Sequence, residues 1–124
     1  MKQVVTTKKA PCAVGPYSQA IRVQDTLYVS GQLPIDAKTG MMPYGVEKQT
    51  EQSIKNIQEI LAVEGFLLSD VVKTTVFLSD MNEFAIMNGM YANYFVSPFP
   101  SRSTVAVAAL PKGAKVEIEC IAQR

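Results

Sequence analysis

Two charged residues near the C-terminus have the settings of groups that act on a small molecule. Arg102 is the only charge between Glu83 and Lys112, within Pro98-Phe-Pro-Ser-Arg-Ser-Thr-Val-Ala-Val-Ala-Ala-Leu110, a stretch of small and apolar residues. A guanidinium placed there must find an anion or water, or its desolvation is costly. Glu117 stands in a second apolar stretch, Lys115-Val-Glu-Ile-Glu-Cys-Ile-Ala122. An isolated cation and an isolated carboxylate on two short strands point to a site for a molecule that itself carries a carboxylate.

Composition narrows the chemistry. The chain has no histidine, which excludes Ser-His-Asp and Cys-His catalysis and imidazole-based zinc sites. Cys12 and Cys120 lie far apart and form no metal-binding cluster, so neither metal nor cofactor is expected. Net charge is +1, from 12 basic and 11 acidic residues spread along the chain. That balance argues against a protein built to grip phosphate backbones. No apolar stretch approaches the ~18 residues of a membrane span, so we expect a soluble cytoplasmic protein with free thiols. With 124 residues, 48% of them apolar, residues 1–124 are read as one domain with a real core.

The elements that must position Arg102 and Glu117 follow from pattern. Ser18–Arg22 and Thr26–Ser30 read as short strands after a polar to mixed N-terminal segment. Val46–Glu64 reads as a helix, with Ile54, Ile57 and Leu61 on one side and Gly65 as its stop. Asp70–Leu78 is a strand rich in β-branched residues. Asp80 caps a second helix that carries Phe84, Met87, Tyr91 and Phe95 on one side. Ser103–Ala109 and Lys115–Ala122 are the last two strands. The order β-β-α-β-α-β-β is an α+β sheet with two helices packed on one face. Strict alternation assigns Leu27, Val29, Val72, Thr74, Val76, Leu78, Val105, Val107, Ala109, Val116, Ile118 and Cys120 to the helix-facing core. It assigns Arg102, Thr104 and Glu117 together to the opposite face, with Tyr28, Phe77, Ala106, Ala108 and Ile121. Two helices cannot cover both faces, and this apolar second face calls for another copy of the chain. Arg102 and Glu117 are therefore expected at or near a subunit interface, a common place for ligand clefts.

Four blocks in order, APCAVGPYSQA (10–20), YVSGQLPIDAKTG (28–40), DMNEFAIMNGMYANYF (80–95) and PSRSTVAVAALPKGAKVEIE (100–119), resemble the RidA family. These are the YjgF-type reactive intermediate (imine/enamine) deaminases. The resemblance covers nearly the whole chain. It implies a chorismate-mutase-like mixed β-sheet in which the last strand is inserted between two earlier ones, where the pattern alone suggests a hairpin. It also implies a homotrimer with clefts between subunits. The implied activity is cofactor-free hydrolysis of 2-imino acids and enamines, such as 2-aminoacrylate and 2-iminobutanoate, to 2-keto acids and ammonia. By the same resemblance Arg102 binds the substrate carboxylate, Glu117 positions water, Tyr17 lies at the cleft, and backbone near Gly31 and Thr104 contacts the ligand. Ser30 and Asn88 complete the expected substrate-binding set. The chain departs from the family where Thr104 replaces a frequent cysteine, and where Ala106 and Ala109 replace a glutamate and an arginine. Those departures put cleft polarity and substrate preference in question.

Each residue also has a plainer reading. Arg102 alone could be an interface salt bridge. Tyr17 follows a Gly-Pro turn and could simply pack. Asn88, on the inner side of its helix, could be a satisfied buried amide, and Cys120 an inert core thiol. Two alternatives to the imine hydrolase stand beside it. One is a non-catalytic or regulatory module that binds small carboxylates. The other is an RNA-directed translation inhibitor or endoribonuclease, which the near-neutral charge disfavours.

Overall fold

Hydrophobic runs and their punctuation produce six strands and two helices in the computed structural model, which describes residues 1–124. They are β1 (Gln3–Val5), β2 (Ala20–Val23), β3 (Thr26–Gln32), α1 (Val46–Val63), β4 (Val71–Leu78), α2 (Phe84–Tyr91), β5 (Ser101–Ala106) and β6 (Val116–Gln123). One sheet holds all six strands in the order β1-β2-β3-β6-β4-β5. The last strand is thus inserted between β3 and β4, antiparallel to both. It does not pair with β5 as a hairpin would. β5 instead lies parallel to β4 at the sheet edge, joined to it by the crossover that contains α2.

Helix α1 buries Ile54, Ile57, Ile60 and Leu61, at spacings of three and four residues that form one stripe. Its end is a Schellman closure. Gly65 takes φ +74° and donates to the carbonyl of Ala62, and Phe66 donates to that of Leu61. The Asp80 side chain accepts from the backbone N–H of Asn82, capping a 3-10 turn that leads into α2. Both helices pack with Leu27, Val29, Val76, Leu78, Val116, Ile118 and Cys120 in a single cluster of 21 buried side chains. The opposite face carries Tyr28 and Val105, 49% and 43% exposed. No helix is long and apolar enough to cross a membrane.

Four sequence expectations need correction. The N-terminal segment contains a strand, β1, paired antiparallel to β2 through Val5↔Ala20. In β4 the register shifts between Val71 and Lys73, so Val71 enters the core and Val72 is exposed. One extra residue there reverses the alternation. β5 presents the faces opposite to those its apolar residues suggest: Arg102 is the register partner of buried Thr74, and Thr104 that of buried Val76. Val105 therefore faces away from the helices, and Arg102 and Thr104 lie on the α2 side. Glu117 partners Phe77 on the far face, so Arg102 and Glu117 do not share a face.

Candidate functional site

Glu117 and Gly31 define the centre of a cleft on the face away from the helices. β3 is bulged between Val29 and Gln32 where it meets β6, and the Glu117 side chain lies against the bulge. A Cβ added at Gly31 would stand 2.5 Å from Glu117 Oε2 and 2.9 Å from its Cδ. Only a residue without a side chain admits the carboxylate at this position. Glu117 enters no ion pair, since the three of this chain join Arg22 to Glu64, Lys48 to Glu51 and Lys115 to Glu83. Burial, and then the charge of Glu119, push its carboxyl above the usual range. A raised carboxyl is a stronger base than an ordinary one and better suited to taking a proton from water.

The cleft has a volume of about 870 Å³. Its lining includes Tyr17, Ser30, Gly31 and Glu117, all singled out from sequence, together with Cys12, Lys8, Lys112 and Glu119. The Tyr17 hydroxyl accepts from the N–H of Val14 at 3.4 Å, which leaves its proton available. Ser30 donates its hydroxyl proton to the carbonyl of Ser18 at 2.6 Å, so its side chain organises the cleft wall before it can serve a ligand. Cys12 is exposed, whereas Cys120 is buried and its thiol is pushed up to about 12 by that burial.

Three buried amides outside the set of candidates expected from sequence build the cleft. Gln19 donates to the carbonyls of Thr7, Ala10 and Pro11 and accepts from the N–H of Thr7. It fastens the segment that forms one wall. Asn56 donates to the carbonyls of Leu33 and Ile35. Gln49 donates to Pro43 and accepts from the N–H of Lys115. Together these two tie the 33–43 loop and the start of β6 to α1. For Gln49 and Asn56 the signal is an amide at a core-facing position of α1, whose burial requires hydrogen-bond partners; Gln19, just ahead of β2, carries no such periodic signal.

The remaining candidates lie elsewhere. Arg102, Thr104 and Asn88 are absent from the cleft lining. The Arg102 guanidinium carbon stands 4.8 Å from the ring centroid of Tyr91 and 5.5 Å from that of Phe84. It takes part in none of the chain's ion pairs. Thr104 Oγ1 is buried and lacks a hydrogen-bond partner. Asn88 is half-buried and its side-chain amide makes no hydrogen bond within the chain, so it is not the satisfied buried amide its helix position suggested. No group of three or more His, Cys, Asp or Glu residues is placed to hold a metal ion.

Comparisons with known proteins agree over nearly the whole chain. The family model described as Endoribonuclease L-PSP matches residues 7–124. The 2-iminobutanoate/2-iminopropanoate deaminase of Mus musculus is 48% identical over 123 residues, covering 98% of this chain and 91% of that protein. The Homo sapiens protein of the same name is 47% identical, covering 98% and 90%. Among solved structures, RidA from the Antarctic bacterium Psychrobacter sp. has a TM-score of 0.95 at 46% identity, covering 98% of this chain and 99% of that one. E. coli TdcF with bound serine has a TM-score of 0.94 at 39% identity, covering 98% of both.

Proposed function

Given that the chain belongs to the RidA (YjgF-type) family, we propose that it hydrolyses 2-imino acids and their enamine tautomers to 2-keto acids and ammonia. Arg102 holds the substrate carboxylate and Glu117 activates the water. The observation that carries this reading is Arg102, a half-buried guanidinium that rests on two rings and has no acid partner in its own protomer.

Two parallel charge-assisted hydrogen bonds from the guanidinium fix the carboxylate, and with it the adjacent electrophilic carbon. Water adds to that carbon, forming a C–O bond as the C=N π pair moves onto nitrogen. Glu117 takes the proton released by the water and returns it to the amine. The carbinolamine hydroxyl then passes its proton through Glu117 to the nitrogen, the C–N bond breaks as the C=O bond forms, and ammonia leaves. An enamine must first gain a proton at carbon, which the Tyr17 hydroxyl or a water supplies.

Arg102 and Glu117 lie on opposite faces of one sheet, so a substrate only a few atoms long meets both in an assembly of copies. In that assembly one protomer contributes Glu117, Tyr17, Ser30 and Gly31. A neighbour contributes Arg102, Thr104 and Asn88. The unpartnered Thr104 hydroxyl and the exposed apolar Tyr28 and Val105 are in keeping with such a trimer.

The test is to generate 2-iminobutanoate in situ with an amino-acid oxidase and follow its decay. We expect the protein to accelerate the decay and Arg102→Ala to reduce turnover about 100-fold, the scale of a lost bidentate contact. Unaltered decay with the wild-type protein, or full activity in Arg102→Ala, would sink the proposal. Keto-acid binding without turnover would make the chain a carboxylate-binding module instead. An RNA-directed activity draws no support from a cleft in which Glu117 and Glu119 offset Lys8 and Lys112, since phosphate binding needs an excess of basic charge.

A further inference from the structure

The β4–α2–β5 unit builds an unusual seat for Arg102. An exposed or half-buried arginine ordinarily settles against a carboxylate, which neutralises it and occupies its donors. Here the guanidinium lies over the rings of Tyr91 and Phe84, both from α2. Ring faces attract a cation through their quadrupole but accept no strong hydrogen bond, so the in-plane N–H groups stay available. The Tyr91 ring is itself immobilised. Its hydroxyl is 2.8 Å from the Thr74 Oγ1, Thr74 is the register partner of Arg102 on the adjacent strand, and Phe95 stacks on the ring with centroids 4.4 Å apart and planes at 27°. Burial raises the Tyr91 phenol above its ordinary value, against the lowering effects of Thr74 and Arg102. It therefore stays neutral and does not form an ion pair with the guanidinium.

Resting on the reading that Arg102 binds the substrate carboxylate, we propose that Tyr91 and Phe84 are positioning residues. Their rings bracket the guanidinium, set its plane and keep its donors open to the incoming acid. Binding through the bracket should depend on the rings and very little on the tyrosine hydroxyl.

The experiment measures the affinity for 2-oxobutanoate by calorimetry, and kcat and KM on 2-iminobutanoate, for Phe84→Leu, Tyr91→Leu, Tyr91→Phe and Arg102→Ala. Each leucine variant should raise Kd and KM by about 2- to 30-fold, the range of a lost cation–π contact. The kcat values should stay within about 2-fold of wild type, because the reacting atoms are untouched. Tyr91→Phe keeps the ring and should restore affinity to within about 2-fold of wild type. Leucine variants that bind 2-oxobutanoate as wild type does, or that lower kcat at constant KM, overturn the bracket. Should Tyr91→Leu fail to fold, Phe84→Leu carries the test, since Phe84 is only half-buried. Arg102→Ala separates the two levels of the proposal. If its affinity is undiminished, the carboxylate-binding role of Arg102 falls; if it binds weakly while the leucine variants bind normally, only the bracket does.

Discussion

On the helix-covered side of the sheet, Arg102 is held by what surrounds it: two rings, one of them pinned by Thr74 and Phe95. On the far side, Glu117 is held by what is missing, the side chain that Gly31 lacks. Both arrangements leave a charged group outside any ion pair of the chain. Such placement costs stability, and it is understandable where the missing partner is a ligand. The difference between the faces also bears on assembly. β5 and β6 are separated by β4, so their backbones stand two strand spacings, roughly 10 Å, apart. The side chains diverge further by pointing to opposite faces. With its cation and carboxylate separated in this way, the proposed site would require two copies of the chain to be complete.

The largest effect that bears on this contrast should come from Gly31→Ala. The added Cβ would meet the end of the Glu117 side chain at 2.5 Å, and a carboxylate on a flexible stem can swing aside. The fold should survive with little change in its unfolding midpoint. Glu117 should leave its place, and turnover of 2-iminobutanoate should fall by about 100-fold, the lower end of general-base assistance. Calorimetry with the imine-decay assay distinguishes this from simple destabilisation. Full activity in a folded Gly31→Ala protein would show that the seat of Glu117 is irrelevant to the chemistry.

Much of this arrangement could be read from the residues. The α1 stripe of Ile54, Ile57 and Leu61, its stop at Gly65 and the core-facing side of β6 all follow from periodicity and glycine conformation. Tyr17, Ser30, Gly31 and Glu117 do meet in one cleft. The face of Arg102 was not legible, because alternation assumes that apolar residues point to the protein's own core. In edge strand β5 it is Val105 that points outward and Arg102 that lies against helix α2. The Val71/Val72 inversion was hidden for a related reason: a bulge inserts one residue without changing local composition. The three-residue strand β1 is too short for a period-2 signal, and its sheet contact comes from pairing with β2. The roles of Gln19, Gln49 and Asn56 depend on loops that are distant in sequence.

A smaller effect should appear in the pH dependence, and it concerns the far face alone. Burial first, then Glu119, raises the Glu117 carboxyl. Turnover needs the deprotonated form, so the rate should fall on acidification through a value above the ordinary carboxylate range. Glu119→Gln removes the second cause and should move that limb to lower pH; an unmoved limb would assign it to another group. Stability runs the other way. A carboxyl raised on folding contributes most below its unfolded value, and that contribution is lost as pH rises through the folded value. At pH 7 Glu117→Gln should therefore unfold at a higher temperature than wild type while hydrolysing imine more slowly. An arginine-bracket variant such as Phe84→Leu should show no such gain.

The smallest expected effect contrasts the two cysteines and leaves activity aside. Cys120 sits on the helix-covered face between its register partners Val29 and Thr74. Burial, with a further contribution from Glu119, pushes its thiol up to about 12. Thiolate is the reactive form, so Cys120 should resist an aromatic disulfide reagent at neutral pH for two reasons, its scarcity of thiolate and its enclosure. Cys12 is exposed at the cleft and should react. Titration of the native protein should count one rapid thiol per chain, and a second only in denaturant. Two equally rapid thiols in the native protein would mean that the core layer beneath α1 and α2 opens readily. The bracket around Arg102 is built on that same layer through Thr74, and it could not then hold a guanidinium in a fixed plane.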